Sequence, residues 1–450
     1  MNKVKHKSEN RFEKMPIVHL HAAGIDVGSR SHFVAIGQSK EDIQEFGIYT
    51  EDLHDLCKFL AGHGITETAL ESTGSYWQPL FVLLQQYNLH PILVNGKFTK
   101  NVKGRKTDVQ DCQWIQKLHT MGMLEGSFIP DLFTQAVRQY YRHRQYLVES
   151  AAGYINKMQK ALRLINIRLD AVLKVIEAIL KGERNPKILA SLPQKTVKAS
   201  TKEIEAALTG DWREEYIFEL RQCHEIYQYY HQKIDECDEK IKNLLSTEIE
   251  RKQKEEGLAK MEGIEIKKKK ARKNEARINI QQLIVDLTGG IDISAIDGIG
   301  LGFLLCLVAE TALELKAFDT DKKFVSWLRL SPDIKKTGGK VISDKTSKGK
   351  NRLAHAFMHS ANTIGNMKNG DYLVHFFKRI ERRRGRMVAI VATARKLAII
   401  VWNMLVKKKT YKPEPPTEYL YKIRQNQVKS IQRRIHQLNI QEGEIRFLTA

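Results

Sequence analysis

The sequence predicts an α/β domain at the N-terminus, then a region of long paired helices, and then a mainly helical C-terminal domain. Three observations support this order: strand and helix signatures alternate at the start, a heptad repeat follows, and short apolar helices dominate the region after 288. We place a basic tail at each end, which gives these segments: 1–20 (tail), 21–136 (α/β domain), 137–287 (helical coiled-coil region), 288–410 (C-terminal domain) and 411–450 (tail).

The α/β prediction rests on three segments that contain four strands and on two segments with helical periodicity. The segment 18–37 predicts two short strands that join at Gly28 and Ser29, because its β-branched and apolar residues surround a turn. The segment 67–72 predicts a third strand. A continuous apolar run, 90–96, is typical of a strand buried on both faces. Helical periodicity separates these strands, in 52–64 and 76–88. Such alternation favours a mixed sheet covered by helices.

The middle region predicts two long helices that pack together. Apolar residues recur at steps of three and four along the first helix: Leu147, Ala151, Ile155, Met158, Leu162, Ile165, Leu169, Val172, Ile176 and Ile179. The second helix has a regular heptad seam: Tyr216, Leu220, Cys223, Tyr227, Tyr230, Ile234, Cys237, Ile241 and Leu244. Gly182, Pro186 and Pro193 predict a loop between them. We expect an antiparallel pair or a dimerising coiled coil.

The charge balance indicates a polyanionic partner. The 450 residues include 74 Lys and Arg against 52 Asp and Glu, a net charge of +22. Neutralising phosphates with such a surface releases counterions, which favours binding to nucleic acid. A generally basic protein without that role is the alternative.

The cysteines and the apolar segments argue against a secreted or membrane protein. The five cysteines are scattered and never spaced as C-x-x-C, which fits a reducing cytoplasm. The most apolar stretches, Leu301–Val308 and Ala398–Val406, are shorter than the roughly 20 residues of a membrane helix. The basic N-terminus has no apolar segment of a secretory signal behind it. We therefore expect a cytoplasmic protein without a membrane span.

The strongest chemical signal is a set of four acidic residues. Asp26 lies in GIDVGS at the end of the first strand, and Glu71 lies at the end of the strand TALES. Asp108 and Asp111 lie three residues apart in KTDVQD, which places both carboxylates on one face at the start of a helix. Carboxylate oxygens are ligands for Mg²⁺. Two such ions about 3.5–4 Å apart serve phosphodiester exchange, and RNase H-like nucleases use this kind of arrangement.

Each acidic motif also has an interpretation that does not involve a metal. GIDVGS is compatible with the phosphate turn of an ATPase of the sugar-kinase and actin type. Asp108 and Asp111 are compatible with a helix N-cap and its neighbour. The four residues in this order are more specific than any one of them.

Several segments together resemble the IS110/IS1111 family of insertion-sequence transposases. They are GIDVGSRSHFVAI, ALESTGSYWQPLFVLL, VNGKFTKNVKGRKTDVQDCQWI and SAIDGIGLGFLLCLVAE, and the likeness covers most of residues 22–410. The resemblance implies a RuvC-like domain whose catalytic, metal-binding quartet falls on Asp26, Glu71, Asp108 and Asp111. It also implies DNA recombination with magnesium, with two ions expected.

The family's second half-site is a serine of the C-terminal domain that attacks DNA. In LSPDIKKTGGKVISDKTSKGKNRLAHAF the matching position is Thr337, which departs from the family's Ser-Gly pair. Threonine has the same hydroxyl, but its methyl group crowds an in-line approach. Ser343 and Ser347 are alternative nucleophiles, and weakened chemistry is a third outcome. We favour Thr337 and expect its loop to be mobile until subunits assemble on DNA.

Basic residues beside both half-sites are candidates for binding the nucleic-acid backbone. They are Lys97, Lys100, Lys103, Arg105 and Lys106 before the first site, and Lys336, Lys340, Lys348, Lys350 and Arg352 around the second. A solvated loop is the alternative for the second group. The turn IDGIG (296–300) resembles a helix-hairpin-helix turn that presents backbone N–H groups to phosphate. The segment 267–277 is basic and exposed, and we interpret His19 and His21 as structural.

The resemblance also implies partners that composition and spacing do not. It implies a noncoding guide RNA that pairs with donor and target DNA, and a homo-oligomer, a dimer or a tetramer, in which one subunit's metal site meets another's hydroxyl. Two other classes stay open: a RuvC-like nuclease that hydrolyses branched DNA with water, and a non-enzymatic RNA-binding protein.

Overall fold

The computed structural model describes residues 16–71, 74–96, 107–168, 173–192, 199–258, 266–347, 349 and 351–439. The chain divides into two units, Met1–Ile129 and Pro130–Ala450. The boundary expected at 136 falls inside the first helix of the second unit, which begins at Leu132.

Five strands among the described residues of the first unit form a mixed sheet of order β3-β2-β1-β4-β5. Strands β1, β2 and β3 pair antiparallel, whereas β1, β4 and β5 are parallel. Their bounds are Ala22–Val27 (β1), His32–Ala35 (β2), Ile43–Phe46 (β3), Glu67–Glu71 (β4) and Pro91–Val94 (β5). The mixed sheet predicted from the alternating segments is confirmed, and it is compatible with an RNase H-like domain.

Two of the strands differ from the sequence prediction. Strand β3 was not predicted, because its sequence IQEF is only half-buried and has no apolar run. Strand β5 was predicted to be buried on both faces, and that is wrong: it lies at the edge of the sheet, and Pro91 and Ile92 are only half-buried. A proline lacks the backbone N–H group and is tolerated at a sheet edge.

Helices cover both faces of this sheet. Helices α1 (Thr50–Gly62) and α2 (Trp77–Gln86) form the core of one face with apolar side chains of β1 and β4. Helix α3 (Asp108–Thr120) packs on β1, β2 and β4. The helices predicted over 52–64 and 76–88 are therefore present.

The second unit contains the predicted pair of long helices, α4 (Leu132–Leu164) and α8 (Glu214–Glu255). Leu147 packs against Ile234 and Cys237, and further along α4 the ring of Tyr154 lies 5.7 Å from that of Tyr230. Residue numbers rise on one helix as they fall on the other, so the pair is antiparallel and within one chain. A dimerising coiled coil stays a prediction.

The first long helix is shorter at its C-terminal end than the sequence predicted. It ends at Leu164 rather than near 180, because Asn166 adopts a positive φ of 58° and the backbone N–H of Ile167 turns back to the carbonyl oxygen of Leu162 (2.8 Å). Leu169 and Val172 of the predicted seam lie outside the described residues. The connection to α8 contains short helices: α5 (Leu173–Leu180), α6 (Pro186–Ser191) and α7 (Thr201–Ala207).

A buried ion pair joins the two long helices. The guanidinium of Arg144 binds the carboxylate of Asp238, with Nη2 3.3 Å from Oδ2. Arg144 also donates to the carbonyl oxygen of Asn274 (3.2 Å), and Asp238 accepts the backbone N–H of Arg277 (3.3 Å). The network therefore fastens the basic segment 267–277 to the helix pair. That segment is not helical.

The remainder of the second unit is mainly helical, as predicted. Its helices are α9 (Ile280–Thr288), α10 (Leu301–Thr311), α11 (Asp321–Trp327), α12 (Arg352–Asn366), α13 (Tyr372–Arg384), α14 (Arg386–Lys407) and α15 (Pro416–Gln437). A two-stranded hairpin, β6 (Lys335–Thr337) and β7 (Lys340–Ser343), lies between α11 and α12.

Among the described helices, α14 alone has the length and apolar composition of a membrane span. The apolar stretch Ala398–Val406, judged too short for a membrane span, is only part of this helix, which begins at Arg386. Half of its apolar segment is buried, and it packs against α11, α12 and α13, as the central helix of a globular unit does.

Candidate active site

Helix α3 lies unusually close to β1, the middle strand of the sheet. A Cβ atom added to Gly24 would lie 2.2 Å from the backbone nitrogen of Gln116 and 2.5 Å from the carbonyl oxygen of Cys112. Both neighbours are backbone atoms of the helix, so a side chain at position 24 has no room unless the helix moves. The contact therefore requires glycine.

The direction of α3 follows from its other contacts with β1. The carbonyl oxygen of Thr120 accepts the backbone N–H of Val18 (2.8 Å), and the side-chain amide of Gln116 donates to the carbonyl oxygen of Ala22 (3.3 Å). Helix and strand therefore run antiparallel. The first turn of α3 lies toward the end of β1 that carries Asp26.

Asp26 and Glu71 lie side by side on the face of the sheet that α3 covers. Ile25 of β1 pairs with Leu70 of β4, and both belong to the core on the opposite face. Successive side chains of a strand point to opposite faces, so the next residues, Asp26 and Glu71, point toward α3. Glu67, on the same face as Glu71, lies against α3. Neighbouring strands are about 4.8 Å apart, so the backbones at Asp26 and Glu71 are separated by a distance of this order.

Asp108 and Asp111 lie in the first turn of α3. The N-cap is Thr107, whose hydroxyl accepts a backbone N–H of that turn (3.3 Å), so the capping role considered for Asp108 belongs to its neighbour. Burial, with a smaller contribution from the nearby carboxylates of Asp26 and Asp111, raises the pKa of the Cys112 thiol to about 12. Asp26 and Asp111 therefore lie near the same thiol.

The four carboxylates form a donor set that suits a hard divalent cation. All four supply oxygen ligands, and Asp26, Glu71 and Asp111 are half-buried while Asp108 is exposed. Among the described residues, no three acidic, histidine or cysteine side chains stand close enough together to hold a metal ion. The structure thus brings Asp26, Glu71 and the first turn of α3 to one edge of the sheet, without joining the carboxyl groups in one coordination shell.

Thr337 lies at the tip of the hairpin in the second unit. It pairs with Lys340, and Gly338 (φ 51°) and Gly339 (φ 77°) form a two-residue turn between them. Two positive φ angles in succession are typical of the type I′ turn that joins hairpin strands. The loop expected over 335–350 is therefore a regular hairpin in its first half. The side chain of Thr337 is exposed to solvent.

The alternative nucleophiles lie further along the same segment. Ser343 is half-buried at the end of β7, and its hydroxyl accepts the backbone N–H of Lys345 (3.4 Å). Ser347 is exposed beyond the hairpin. Thr337 is the hydroxyl beside the turn itself, and like Ser347 it is exposed.

Two family models match the chain, and each covers one of these two sets of candidate residues. The model of the DEDD transposases of IS110 elements matches residues 23–167, which include the four carboxylates. The model of the IS116/IS110/IS902 transposases matches residues 292–373, which include Thr337. Together the matches cover half of the chain. The chain belongs to the IS110 family of transposases.

A probable family 20 transposase of Pseudomonas aeruginosa is similar to part of this transposase. The two sequences are 29% identical over 122 residues, which is 26% of this chain and 36% of the relative. The aligned segment therefore spans about a third of the relative's length.

The basic residues predicted to bind nucleic acid fall into three groups in the transposase. Lys336 and Lys340 are exposed on both sides of the hairpin turn, and Arg352 is exposed at the first residue of α12. The remaining predicted positions lie outside the described residues: Lys97, Lys100, Lys103, Arg105, Lys106, Lys348 and Lys350.

An acidic side chain that the sequence did not indicate lies at the start of the helix that follows the IDGIG turn of the transposase. The carboxylate of Glu275 accepts the backbone N–H of Gly302 (3.2 Å) in the first turn of α10. Nothing in the local pattern around Glu275 indicated this contact, because Gly302 is 27 residues away in the chain. The expected phosphate position is thus held by an internal anion.

His19, one of the two histidines interpreted as structural, forms a cluster with Glu67 and His119. His19 pairs with the carboxylate of Glu67, and its ring stacks on His119 at 4.9 Å. His119 Nε2 lies 3.9 Å from Glu67 Oε2. Burial lowers the pKa of His119 to about 4. No residue near His19 in the sequence indicated this pairing, because Glu67 lies on another strand.

Proposed function

We propose that the transposase exchanges DNA strands of an insertion sequence, with the carboxylates of Asp26, Glu71, Asp108 and Asp111 as its metal site and Thr337 as its nucleophile. The observation that supports this most directly is the placement of Asp26 and Glu71 on neighbouring parallel strands, beneath the first turn of α3. Two of the four acids come from the sheet and two from one helical turn, so a single edge of the domain presents all of them.

The four carboxylates are the proposed ligands of the metal ion. Bound by the four carboxylates, Mg²⁺ would stabilise the negative charge that develops on phosphate oxygens during exchange. The oxygen ligands suit this ion rather than a thiol-preferring one. The half-buried positions of Asp26, Glu71 and Asp111 fix these side chains, while the exposed Asp108 leaves one side open to DNA.

The covalent step is assigned to the hydroxyl of Thr337. Its Oγ1 attacks a DNA phosphorus, the bond from phosphorus to one ester oxygen breaks, and the proton lost by the hydroxyl balances the one that the leaving oxygen gains. The protein–DNA phosphodiester keeps the energy of the broken bond for rejoining. Lys336 and Lys340 flank the attacking group and stabilise the phosphate charge.

The carboxylates belong to the first unit of the chain and Thr337 to the second, and the family resemblance implies that these groups meet between copies on DNA. We propose a homo-oligomer, a dimer or tetramer, in which one copy's hydroxyl meets another's carboxylates. Exposed apolar side chains along α8 are available for such contacts: Phe218, Ile226 and Tyr229. Donor and target DNA and a noncoding guide RNA are the proposed nucleic-acid partners, which the net charge of +22 supports.

A cytoplasmic location belongs to the same proposal. All five cysteines are free and buried, as in proteins of a reducing compartment.

One observation favours a second function, a RuvC-like nuclease that hydrolyses DNA with water. A hydroxyl at its ordinary pKa is a weak nucleophile and needs a neighbouring base. Among the described residues, none forms a hydrogen bond with the Thr337 hydroxyl. Water activated at the carboxylates alone would then do the chemistry. A non-enzymatic RNA-binding protein is the third class to test.

Trapping a covalent adduct separates these functions. The purified protein is incubated with Mg²⁺, its flanking noncoding RNA and nicked donor DNA, and the adduct is resolved in denaturing gels. We expect Thr337→Ala to lose the adduct and keep nucleic-acid binding, and Thr337→Ser to keep or raise its rate. Asp26→Ala or chelation of the metal should abolish all chemistry.

Other outcomes redirect the assignment. An active Thr337→Ala beside a dead Ser343→Ala or Ser347→Ala would move the nucleophile along the hairpin. Strand cleavage without any adduct in all three variants and in the wild type would support the water-using nuclease. Full activity of Asp26→Ala would exclude the carboxylate site.

A further inference from the structure

The second unit contains an open cleft of about 910 Å³ that the proposed chemistry does not use. Its walls are helix α4, the basic segment 267–277, the N-terminus of α10 and helix α12. These parts of the chain are distant in sequence, and the network of Arg144 and Asp238 holds the segment in place. The cleft is therefore a built feature of the unit rather than a gap between loose loops.

One wall of the cleft is a polar stripe along α12. Arg352, His355, His359 and Thr363 follow one another at steps of three and four, so they share one face of the helix, and all four line the cleft. Arg352, His355 and His359 are exposed. These three side chains offer hydrogen-bond donors to a ligand with several anionic or polar groups, whereas the hydroxyl of Thr363 already donates to the carbonyl oxygen of His359 (3.0 Å).

The opposite wall carries Arg272 and Lys273 of the basic segment. In the part of the chain that the structure describes, neither of these side chains nor Arg352 has a carboxylate within ion-pair distance, although many other arginines of this unit are paired. Among the described residues, three cations from two walls thus face one cleft without an ion-pair partner, against two carboxylates of the same lining, those of Glu149 and Glu275. Such an arrangement attracts an external anion.

The anion position at the end of the cleft is held by the protein itself. Glu275 Oε1 accepts the backbone N–H of Gly302 (3.2 Å) at the N-terminus of α10, and its Oε2 accepts the backbone N–H of Arg272 (2.9 Å). Helix N-termini favour negative charge through their free N–H groups and the helix dipole. Glu275 therefore marks where an anionic group is stabilised.

We propose that this cleft binds a single nucleic-acid strand by its phosphodiester backbone, and that Glu275 competes with a phosphate for the N-terminus of α10. The inference deepens the proposed function and rests on it for the choice of ligand. A volume near 910 Å³ corresponds to a cube about 10 Å on a side. That is narrower than the major groove of a duplex alone, which is about 12 Å wide, so the cleft suits a short segment of one strand. DNA and RNA present the same backbone chemistry here.

Binding of labelled oligonucleotides to the full-length protein tests this site. The probes are a DNA strand of thymidines and an RNA strand of uridines of equal length, followed by fluorescence anisotropy over a range of salt concentrations. Comparing the two probes identifies which nucleic acid the cleft prefers.

Each of two variants removes one cation from one wall of the cleft. Arg272→Ala and Arg352→Ala should each weaken binding about fivefold at 0.1 M salt and lower the salt slope by about 0.7, the value for one phosphate contact to a single strand. Lys322→Ala is the matched control, because Lys322 is an exposed cation outside the cleft. Since the two arginines lie on separate elements, misfolding of one variant leaves the other as a test.

Glu275→Gln should tighten binding about fivefold, because it removes a charge close to the phosphate position. The glutamine carbonyl still accepts the N–H of Gly302, so the end of α10 keeps its cap. Glu314→Gln is the matched control, since Glu314 is an exposed acid of the same unit that pairs with Lys252 away from the cleft.

Two results would overturn the proposal. Salt slopes of Arg272→Ala and Arg352→Ala equal to that of Lys322→Ala would show that the backbone does not enter the cleft. Equal affinities of Glu275→Gln and Glu314→Gln would show that Glu275 does not compete with phosphate. The covalent-adduct assay is separate: a wild-type protein that binds as expected here but forms no adduct would refute the proposed chemistry and leave the cleft assignment intact.

Discussion

Replacing Gly24 with alanine is the most direct test of how the sheet and α3 build the acidic site. The new methyl group would lie 2.2 Å from the backbone nitrogen of Gln116, whereas ordinary contacts begin at 3.4 Å. Helix α3 must therefore move outward by more than 1 Å, and backbone on both sides prevents a local adjustment. Overpacking of this kind costs about 1–3 kcal/mol, and we expect the upper end here.

The displacement should affect chemistry more than stability. Asp108 and Asp111 move with α3, while Asp26 and Glu71 stay with the sheet. A misplacement near 1 Å in a catalytic constellation lowers rates by about 100-fold. We therefore expect Gly24→Ala to lose most of its metal-dependent strand cleavage, even at denaturant concentrations where the protein remains folded.

Three measurements on the full-length protein follow this prediction: denaturant unfolding by circular dichroism, hydrogen exchange of peptides from β1 and α3, and cleavage of donor DNA. Gly62→Ala is the matched control, because a Cβ at Gly62, the last residue of α1, meets nothing within 4 Å. That control should be neutral or slightly stabilised. Unfolding, exchange and cleavage of Gly24→Ala equal to those of Gly62→Ala would refute the close contact of α3 with β1.

Two further predictions concern buried charges. Asp238→Ala leaves the guanidinium of Arg144 buried without its partner and should lower the free energy of unfolding by about 3–5 kcal/mol. The control is Asp235→Ala, since Asp235 is exposed on the same helix. Equal denaturant midpoints for the two variants would contradict the buried pair. Burial holds the pKa of His119 at about 4, below its ordinary 6.5, so the unfolded chain takes up a proton first as the pH falls. The stability contributed by neutral His119 is therefore complete above pH 6.5 and declines toward pH 4 by about 3 kcal/mol. The variant His119→Gln should flatten this part of the stability–pH curve. An unchanged slope would show that another group titrates there.

The sequence around Thr337 is sufficient to predict its hairpin, but not the group that would activate its hydroxyl. The sequence KKTGGK contains the two glycines that a two-residue turn needs, so a hairpin was recoverable from it, although the lysines and glycines favoured a loop. The exposure of Thr337 at the turn follows directly from that hairpin. Whether a base reaches its hydroxyl depends on other parts of the assembled protein and on DNA, which no pattern along the chain encodes.

Periodicity and residue chemistry along the chain were sufficient for several features. The alternation of strands and helices predicted the mixed sheet, and the heptad seam predicted the packing of α4 on α8. The order of Asp26, Glu71, Asp108 and Asp111 predicted a carboxylate metal site, which stays a prediction, although the sheet and the first turn of α3 carry these residues to one edge. These features are local in origin, because the side-chain repeat of a strand or helix and the preference of carboxylates for hard cations act within short segments.

Only the tertiary structure decided the contacts between distant segments. The position of β5 at the sheet edge, the approach of α3 to Gly24, the pairing of His19 with Glu67 and the capping of α10 by Glu275 all join residues whose own neighbours carry no sign of them. The pair of Arg144 and Asp238 spans 94 residues of chain. Such contacts depend on which surfaces the packed elements bring together, so the same side chains would have other partners in another arrangement.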